Sequence, residues 1–266
     1  MQEAQRERGE RFRALHEGVP FVIPNPWDAG SARVLAGLGF EALATTSSGF
    51  AFTLGRLDGN VKLDEVVEHV RTLSDATPLP VSVDLENGYG PEPADAARAI
   101  TSVAEAGAVG GSIEDYDGDR GEIYPLEDAA ERISAAAEAA AALGFPFTLT
   151  ARAENHIRGN PDLDDTIARL QAYERAGADV LYAPGLTSVE EIRAVCGAVS
   201  KPVNVLARPD LTRDEIVDAG AQRISVGGAL AFTAVAAFAA AAEGIRDRGD
   251  FSSFRFPREL RDWLGA

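Results

Sequence analysis

Val81-Ser82-Val83-Asp84-Leu85-Glu86-Asn87-Gly88-Tyr89-Gly90 is the stretch on which the fold and the chemistry both turn. It opens as a β-branched apolar run, the mark of a buried strand. It ends in two carboxylates two residues apart, followed by a Gly-Tyr-Gly turn. Side chains alternate across a strand, so Asp84 and Glu86 are expected on one face. Two neighbouring acids at a strand exit repel each other unless something positive lies between them. A hard divalent cation, which prefers oxygen ligands, fits that place.

Outward from this strand the chain repeats one unit. Residues 2–17 read as a capping helix. Strands are predicted at 21–24, 41–46, 81–84, 110–115, 147–151, 180–182, 203–206 and 223–226, each followed by a helix. The segment 47–60 reads as a long loop before a helix at 63–73, and the eighth helix as 230–245 with a short amphipathic tail to 264. Ala-Gly-Ala recurs at 106–108, 176–178 and 219–221, placing a glycine just past a helix and before a strand. Eight such units predict one (β/α)8 barrel of the TIM type spanning 1–266, with an N-terminal capping helix.

Composition bounds the function. The 266 residues are 45% hydrophobic and 25% charged, with a formal charge of −17 from 42 acids and 25 bases. That balance argues against nucleic acid, whose binding rests on basic side chains at phosphates, and against an anionic membrane surface. The single cysteine, Cys196, permits no internal disulfide and fits a reducing cytoplasm. The charged N-terminus does not read as a signal peptide. The Ala-rich stretch 228–244 reads as too short and too weakly apolar to span a bilayer.

In such barrels the active site lies at the C-terminal ends of the strands. Read in order, those exits offer Trp27; Thr46, Ser47, Ser48 and Gly49, with Asp58 further along the loop; Asp84 and Glu86; Glu114 and Asp115; Arg152, Glu154 and Asn155; and Asn204. Acids concentrate on neighbouring strands two to five, which favours Mg2+, or Mn2+ in its place, with several waters retained. The structural alternative is that Asp84 and Glu86 pair with Arg152 or Lys62, or cap helices. Arg152 offers a fork for a substrate carboxylate, or an internal ion pair with Glu114 or Glu154. Thr46–Ser48 offer hydroxyl and amide groups to the same substrate, or serve only as a loop of small residues. His69, mid-helix, is expected on the surface, His156 in an exposed loop, and Cys196 in a packing role. No phosphate loop of dinucleotide or P-loop spacing is present.

The motifs Asn25-Pro26-Trp27-Asp28, Ser47-Ser48-Gly49 with Asp58, Asp84-Leu85-Glu86-Asn87-Gly88-Tyr89-Gly90, Ser112-Ile113-Glu114-Asp115 and Thr150-Ala151-Arg152 together resemble the isocitrate lyase / phosphoenolpyruvate mutase superfamily. The resemblance covers most of the chain. It implies a Mg2+-dependent enzyme acting on a 2-oxo or 2-hydroxy acid through a stabilised enolate. It implies Asp84 as direct metal ligand, with Glu86, Glu114 and Asp58 acting through water. It implies catalytic roles for Arg152, Asp58 and Glu114, and substrate contacts from Trp27, Thr46–Gly49, Arg152 and Asn204. It also implies a homotetramer in which paired subunits exchange the eighth helix.

Two departures stand out. Glu86 replaces the family's usual aspartate. The gating loop after Glu114-Asp115 carries neither the Cys of the known lyases nor a Lys, leaving Arg120, Glu122 and Tyr124 as candidates. The leading expectation is C–C bond cleavage in a small 2-oxo or 2-hydroxy (di)carboxylate. The alternatives are P–C bond chemistry on phosphonopyruvate or phosphoenolpyruvate, and a binding protein that holds Mg2+ and a 2-oxo acid without turnover.

Overall fold

The structure, a computed structural model, describes residues 2–265. Eight parallel strands form a nearly closed barrel: β1 (Phe21–Ile23), β2 (Leu43–Ala44), β3 (Val81–Asp84), β4 (Gly110–Glu114), β5 (Thr148–Arg152), β6 (Val180–Tyr182), β7 (Val203–Leu206) and β8 (Arg223–Ser225). They pair in the order β1-β8-β7-β6-β5-β4-β3-β2. Across the β1–β2 seam the Ala44 N–H donates to the Pro24 carbonyl at 3.1 Å. The strands are near-continuous apolar runs, as expected where a parallel sheet is covered by helices. The three Ala-Gly-Ala glycines, Gly107, Gly177 and Gly220, hold φ of 107°, 104° and 109°. Only glycine adopts that backbone readily, which is why each unit repeats it.

Four expectations are corrected. The segment after β2 is not all loop: Ser47–Thr53 is a helix, capped by Thr46 Oγ1, which accepts from the Gly49 N–H at 3.3 Å. At seven residues it is too short for an apolar period to show. His69 is buried, not on the surface, and stacks on Phe50 with ring centroids 3.9 Å apart. It lies on the inward stripe Val66-His69-Val70-Leu73 of the helix Leu63–Ala76, and burial pushes its imidazole down to about 4. His156 is half-buried, with Nδ1 on the Thr166 hydroxyl at 2.8 Å. The last long helix runs Ala229–Arg248, 20 residues, so it is long and apolar enough by length and composition to cross a membrane. In the single chain it is mostly exposed, Phe238 at 74%.

Cys196 packs against the core, and burial raises its thiol to about 11. The short helix Leu260–Leu264 returns the tail to the helix Ala29–Gly37, where Arg33 donates to the Leu264 carbonyl at 2.9 Å.

The lower barrel is organised around Arg223, which is buried and donates to Asn204 Oδ1 (2.9 Å), Thr150 Oγ1 (3.0 Å) and His16 Nε2 (3.1 Å). His16 must then carry its proton on Nδ1, which donates to the Phe12 carbonyl at 2.8 Å. Burial and Arg223 hold the His16 imidazole down to about 3, against an ordinary 6.5. The folded state therefore resists a proton that the unfolded chain accepts. The stability His16 supplies is full above pH 6.5 and is lost as pH falls toward 3, at up to about 1.4 kcal/mol per pH unit. Melting temperature measured between pH 6.5 and 4 should fall less steeply in His16→Gln than in the wild type; parallel curves would refute this role.

Candidate active site

β3 ends at Asp84, and the alternation expected to carry on to Glu86 does not. Among the described residues, Glu86 and Tyr89 are the two non-glycines with positive φ, 48° and 60°. Glu86 thus reaches the mouth through a left-handed turn rather than along a strand face. Such backbone persists only where surrounding contacts fix it. Here Arg132, 2% exposed, donates to the carbonyls of Asn87, Gly90 and Pro91. The Tyr124 ring lies 4.5 Å from its guanidinium, and Asn87 Nδ2 donates to the Tyr124 hydroxyl at 3.1 Å. Gly88 is pressed against the helix Pro93–Glu105: a Cβ there would stand 2.7 Å from the Ala96 Cα.

Charge organises the rest. Arg152 Nη1 lies 3.7 Å from Asp84 Oδ1 and 3.3 Å from Glu114 Oε2, while its Nε pairs with Glu154. Asp84 Oδ2 also accepts from the Ser47 N–H at 3.3 Å, and the Tyr89 hydroxyl donates to Glu86 Oε1 at 3.4 Å. Burial, then Asp84 and Asp58, push the Glu86 carboxyl up to about 7. Asp58 is exposed by area but enclosed on its inner side; that partial burial raises its carboxyl, against a hydrogen bond from Ser47. Burial raises Glu114, with Arg152 pulling against it. A cavity of ≈ 720 Å3 opens over this cluster, lined by Asp58, Glu86, Glu114, Arg120, Arg152 and Arg158 among others. A smaller one of ≈ 70 Å3 lies along the barrel axis, between Asp84 and Arg152 above and Asn204 and Arg223 below.

The structure therefore gathers Ser47, Asp58, Asp84, Glu86, Glu114 and Arg152 at one mouth. Ser48 Oγ meets Thr46 Oγ1 at 3.1 Å, and Gly49 is packed so that a Cβ would stand 2.6 Å from the Thr46 methyl and 3.2 Å from Trp27 Cβ. Trp27 stands behind this element rather than among the residues lining the two cavities. Asn204 faces the lower cavity with both ends of its amide engaged, by Arg223 and by Ser225 at 2.9 Å. The segment expected to gate the site is a small hairpin, Tyr116–Asp117 against Glu122–Ile123. Of its three candidates Arg120 lines the large cavity, Glu122 faces solvent, and Tyr124 is buried beneath, 6% exposed. Asp115 points away from the mouth, accepting from Tyr173 (2.5 Å), Arg169 (3.0 Å) and the Glu154 N–H (2.8 Å). Sequence reading passed over Arg132, because its partners are backbone carbonyls. The available signal was a lone arginine in the otherwise Ala-rich inner face of the helix Leu126–Ala141.

Among the described residues no three His, Cys, Asp or Glu groups form a closed cage for a metal ion. The carboxylates instead ring a partly solvated space, crowded enough to raise one another's pKa. That donor set fits a hard cation bound by few protein oxygens and keeping much of its water.

The model of the phosphoenolpyruvate phosphomutase family matches residues 12–246. The chain belongs to this family. Its enzymes, with those of the wider isocitrate lyase superfamily, are lyases of C–C bonds, mutases and hydrolases, and this protein is one of them. A solved protein of Burkholderia cenocepacia, described only as a lyase/mutase, is 52% identical, with TM-score 0.96 over 99% of this chain and 98% of the other. The 2-methylisocitrate lyase of Escherichia coli is 32% identical over 78% of this chain and 74% of its own. The oxaloacetate decarboxylase of Bradyrhizobium diazoefficiens is 31% identical over 78% and 73%.

The raised Glu86 carboxyl has a measurable consequence. Its folded state favours the proton, so the stability it contributes is full below pH 4.5 and is lost as pH rises through about 7. In chelator-treated protein at pH 8, Glu86→Gln should raise the melting temperature by about 2–4 °C, and the gain should vanish near pH 4.5. An equal or lower melting temperature for the variant at pH 8 would show that the carboxylate is not under this pressure.

Proposed function

We propose that the enzyme is a Mg2+-dependent lyase that cleaves a C–C bond in a small 2-oxo or 2-hydroxy dicarboxylic acid, through an enolate. The observation that carries this reading is the ring of Asp58, Asp84, Glu86 and Glu114 around Arg152 at the mouth of a barrel of this family. Of the two relatives named above, the oxaloacetate decarboxylase is named for an acid of this class, and the 2-methylisocitrate lyase for a 2-hydroxy acid with one carboxylate more. Mg2+ suits the oxygen donors; Mn2+ would be tolerated by the same set.

In this reading Asp84 is the direct ligand, and Glu86, Glu114 and Asp58 hold the ion through water. When bound, the ion supplies Lewis-acid polarisation of the substrate's 2-oxo or 2-hydroxy oxygen. Arg152 faces one substrate carboxylate, and its pairs with Asp84, Glu114 and Glu154 keep the guanidinium from swinging away. Ser47, Ser48 and Gly49 give small polar contacts on the opposite wall. As the C–C bond breaks, its electron pair passes into the adjoining carbonyl or carboxylate to give the enolate, and Arg152 balances the developing charge. The other fragment leaves as carbon dioxide from a 2-oxo acid, or as a carbonyl compound from a 2-hydroxy acid whose hydroxyl proton has passed to a base at the mouth. The hairpin with Tyr116, Asp117 and Arg120 walls the cavity against bulk water.

Phosphonopyruvate chemistry has weaker support, because Asp117, Asp119 and Glu122 outnumber Arg120 on that hairpin, and a phosphonate calls for cations. Binding without turnover has least, since the family consists of enzymes. The exposed helix Ala229–Arg248, with Phe232 46% and Phe238 74% exposed, supports assembly with a second copy of this chain through that helix. The lone cysteine supports a cytoplasmic location.

Mg2+ with oxalate should raise the melting temperature of the wild type and leave Asp84→Ala unmoved. A screen of 2-methylisocitrate, isocitrate, oxaloacetate and phosphonopyruvate should find pyruvate or glyoxylate release, at least about 100-fold lower in Asp84→Ala. Full activity in that variant would overturn the metal assignment. Phe238→Asp should lower the mass seen in sedimentation; an unchanged mass would remove that helix from the assembly.

A further inference from the structure

Arg158 stands six residues beyond Arg152, on the turn after β5. Its guanidinium carbon lies 3.6 Å from the centre of the Tyr116 ring, so the gating hairpin and this side chain hold each other in place. Its Nε donates to Glu154 Oε2 at 3.1 Å. Its Nη2 is 3.6 Å from Glu114 Oε1, an ion pair too long to be a hydrogen bond. Its Nη1 has no hydrogen-bond partner among the described residues. A guanidinium carries five N–H donors. One is spent here, and the side chain, 36% exposed, lines the large cavity with its remaining donors free. Arg132 is the contrast: its Nη1 and Nη2 donate to three carbonyls, and at 2% exposure it is closed to any ligand.

Glu114 sets the spacing. Arg152 sits on its Oε2 and Arg158 on its Oε1, so the two guanidiniums are one carboxylate apart on the same wall. We infer that Arg158 receives the distal carboxylate of the substrate, so that the site selects a short 2-oxo or 2-hydroxy dianion over a monoacid of equal length. This rests on the metal and dicarboxylic acid reading given above and names the side chain that meets the substrate's second carboxylate. The stack on Tyr116 fixes the guanidinium plane before the ligand arrives, which lowers the ordering cost of binding. It also adds, from the wall of the barrel, a second cation to the Arg120 of the acid-rich hairpin.

The test compares two four-carbon 2-hydroxy acids that differ in the distal carboxylate, malate and 2-hydroxybutyrate, with oxalate as a ligand for the metal end alone. Each is titrated calorimetrically into the full-length protein with saturating Mg2+. The wild type should bind malate about ten-fold or more tighter than 2-hydroxybutyrate, the gain typical of a charge-assisted pair. Arg158→Met should lose that preference and keep its oxalate affinity, and Arg158→Lys should retain part of it. An unchanged malate preference in Arg158→Met would overturn the inference. So would an equal loss for oxalate and malate, which would mean that Arg158 acts only by holding Glu114. A wild type that binds neither oxalate nor malate with Mg2+ would instead overturn the underlying reading, and this inference with it.

Discussion

Arg152 touches three carboxylates, from β3, β4 and the turn after β5, and the mouth of the barrel depends on that one cation. Asp84, Glu114 and Glu154 could not share the space without it, since an unpaired buried carboxylate would either take up a proton or drive the strands apart. Arg158 repeats the device one step outward, pairing with Glu114 and Glu154. The alternation is incomplete on the β3 side. Glu86 and Asp58 have no ion pair among the described residues; burial first, then the neighbouring acids, raises both carboxyls. Charge is therefore balanced toward β5 and unbalanced toward β3, and the unbalanced side is where a cation gains most.

The barrel was legible because its signals are local. Apolar runs, helix periods and the glycines at 107, 177 and 220 each act within a few residues. The acids of the mouth were legible for the same reason: Asp84 and Glu114 end strands, and Glu86 and Asp58 follow strand exits. Less visible was how they meet. Alternation along β3 suggested a shared face for Asp84 and Glu86, whereas Glu86 arrives through a left-handed turn. That turn depends on Arg132, more than forty residues away in sequence, and on backbone carbonyls, which have no residue identity to read. His69 was a different failure. Its place on the stripe with Val66, Val70 and Leu73 was readable, but a histidine's polarity outweighed the period.

Arg223 presents the same contrast at the other end of the barrel. Its partners His16, Thr150 and Asn204 are neutral, so nothing in the charge pattern announces a buried arginine at the start of β8. Asn204 shows the consequence for site prediction. A polar residue on an inward-facing strand position is as readily a partner for the barrel's own buried charge as for a substrate, and here both ends of its amide are already engaged.

The hairpin over the cavity is tied to the same framework. Tyr116 opens the hairpin over Arg158, and Tyr124 closes it under Arg132, so both ends rest on cations that also hold the acids or the turn of the mouth. The last long helix is tied in as well. Phe232 meets Phe52 edge-on at 6.4 Å, and the space around Gly49 is bounded by Ala231 as well as by Trp27 and Thr46. Gly228, just before that helix, leaves no room for a side chain between Ser48 Oγ and Phe232. The helix that carries Ser47, which lines the large cavity, is therefore packed against the first turn of a helix that is mostly exposed in the single chain. The exposed apolar helix and the polar mouth thus approach each other where Ala231 bounds the space around Gly49.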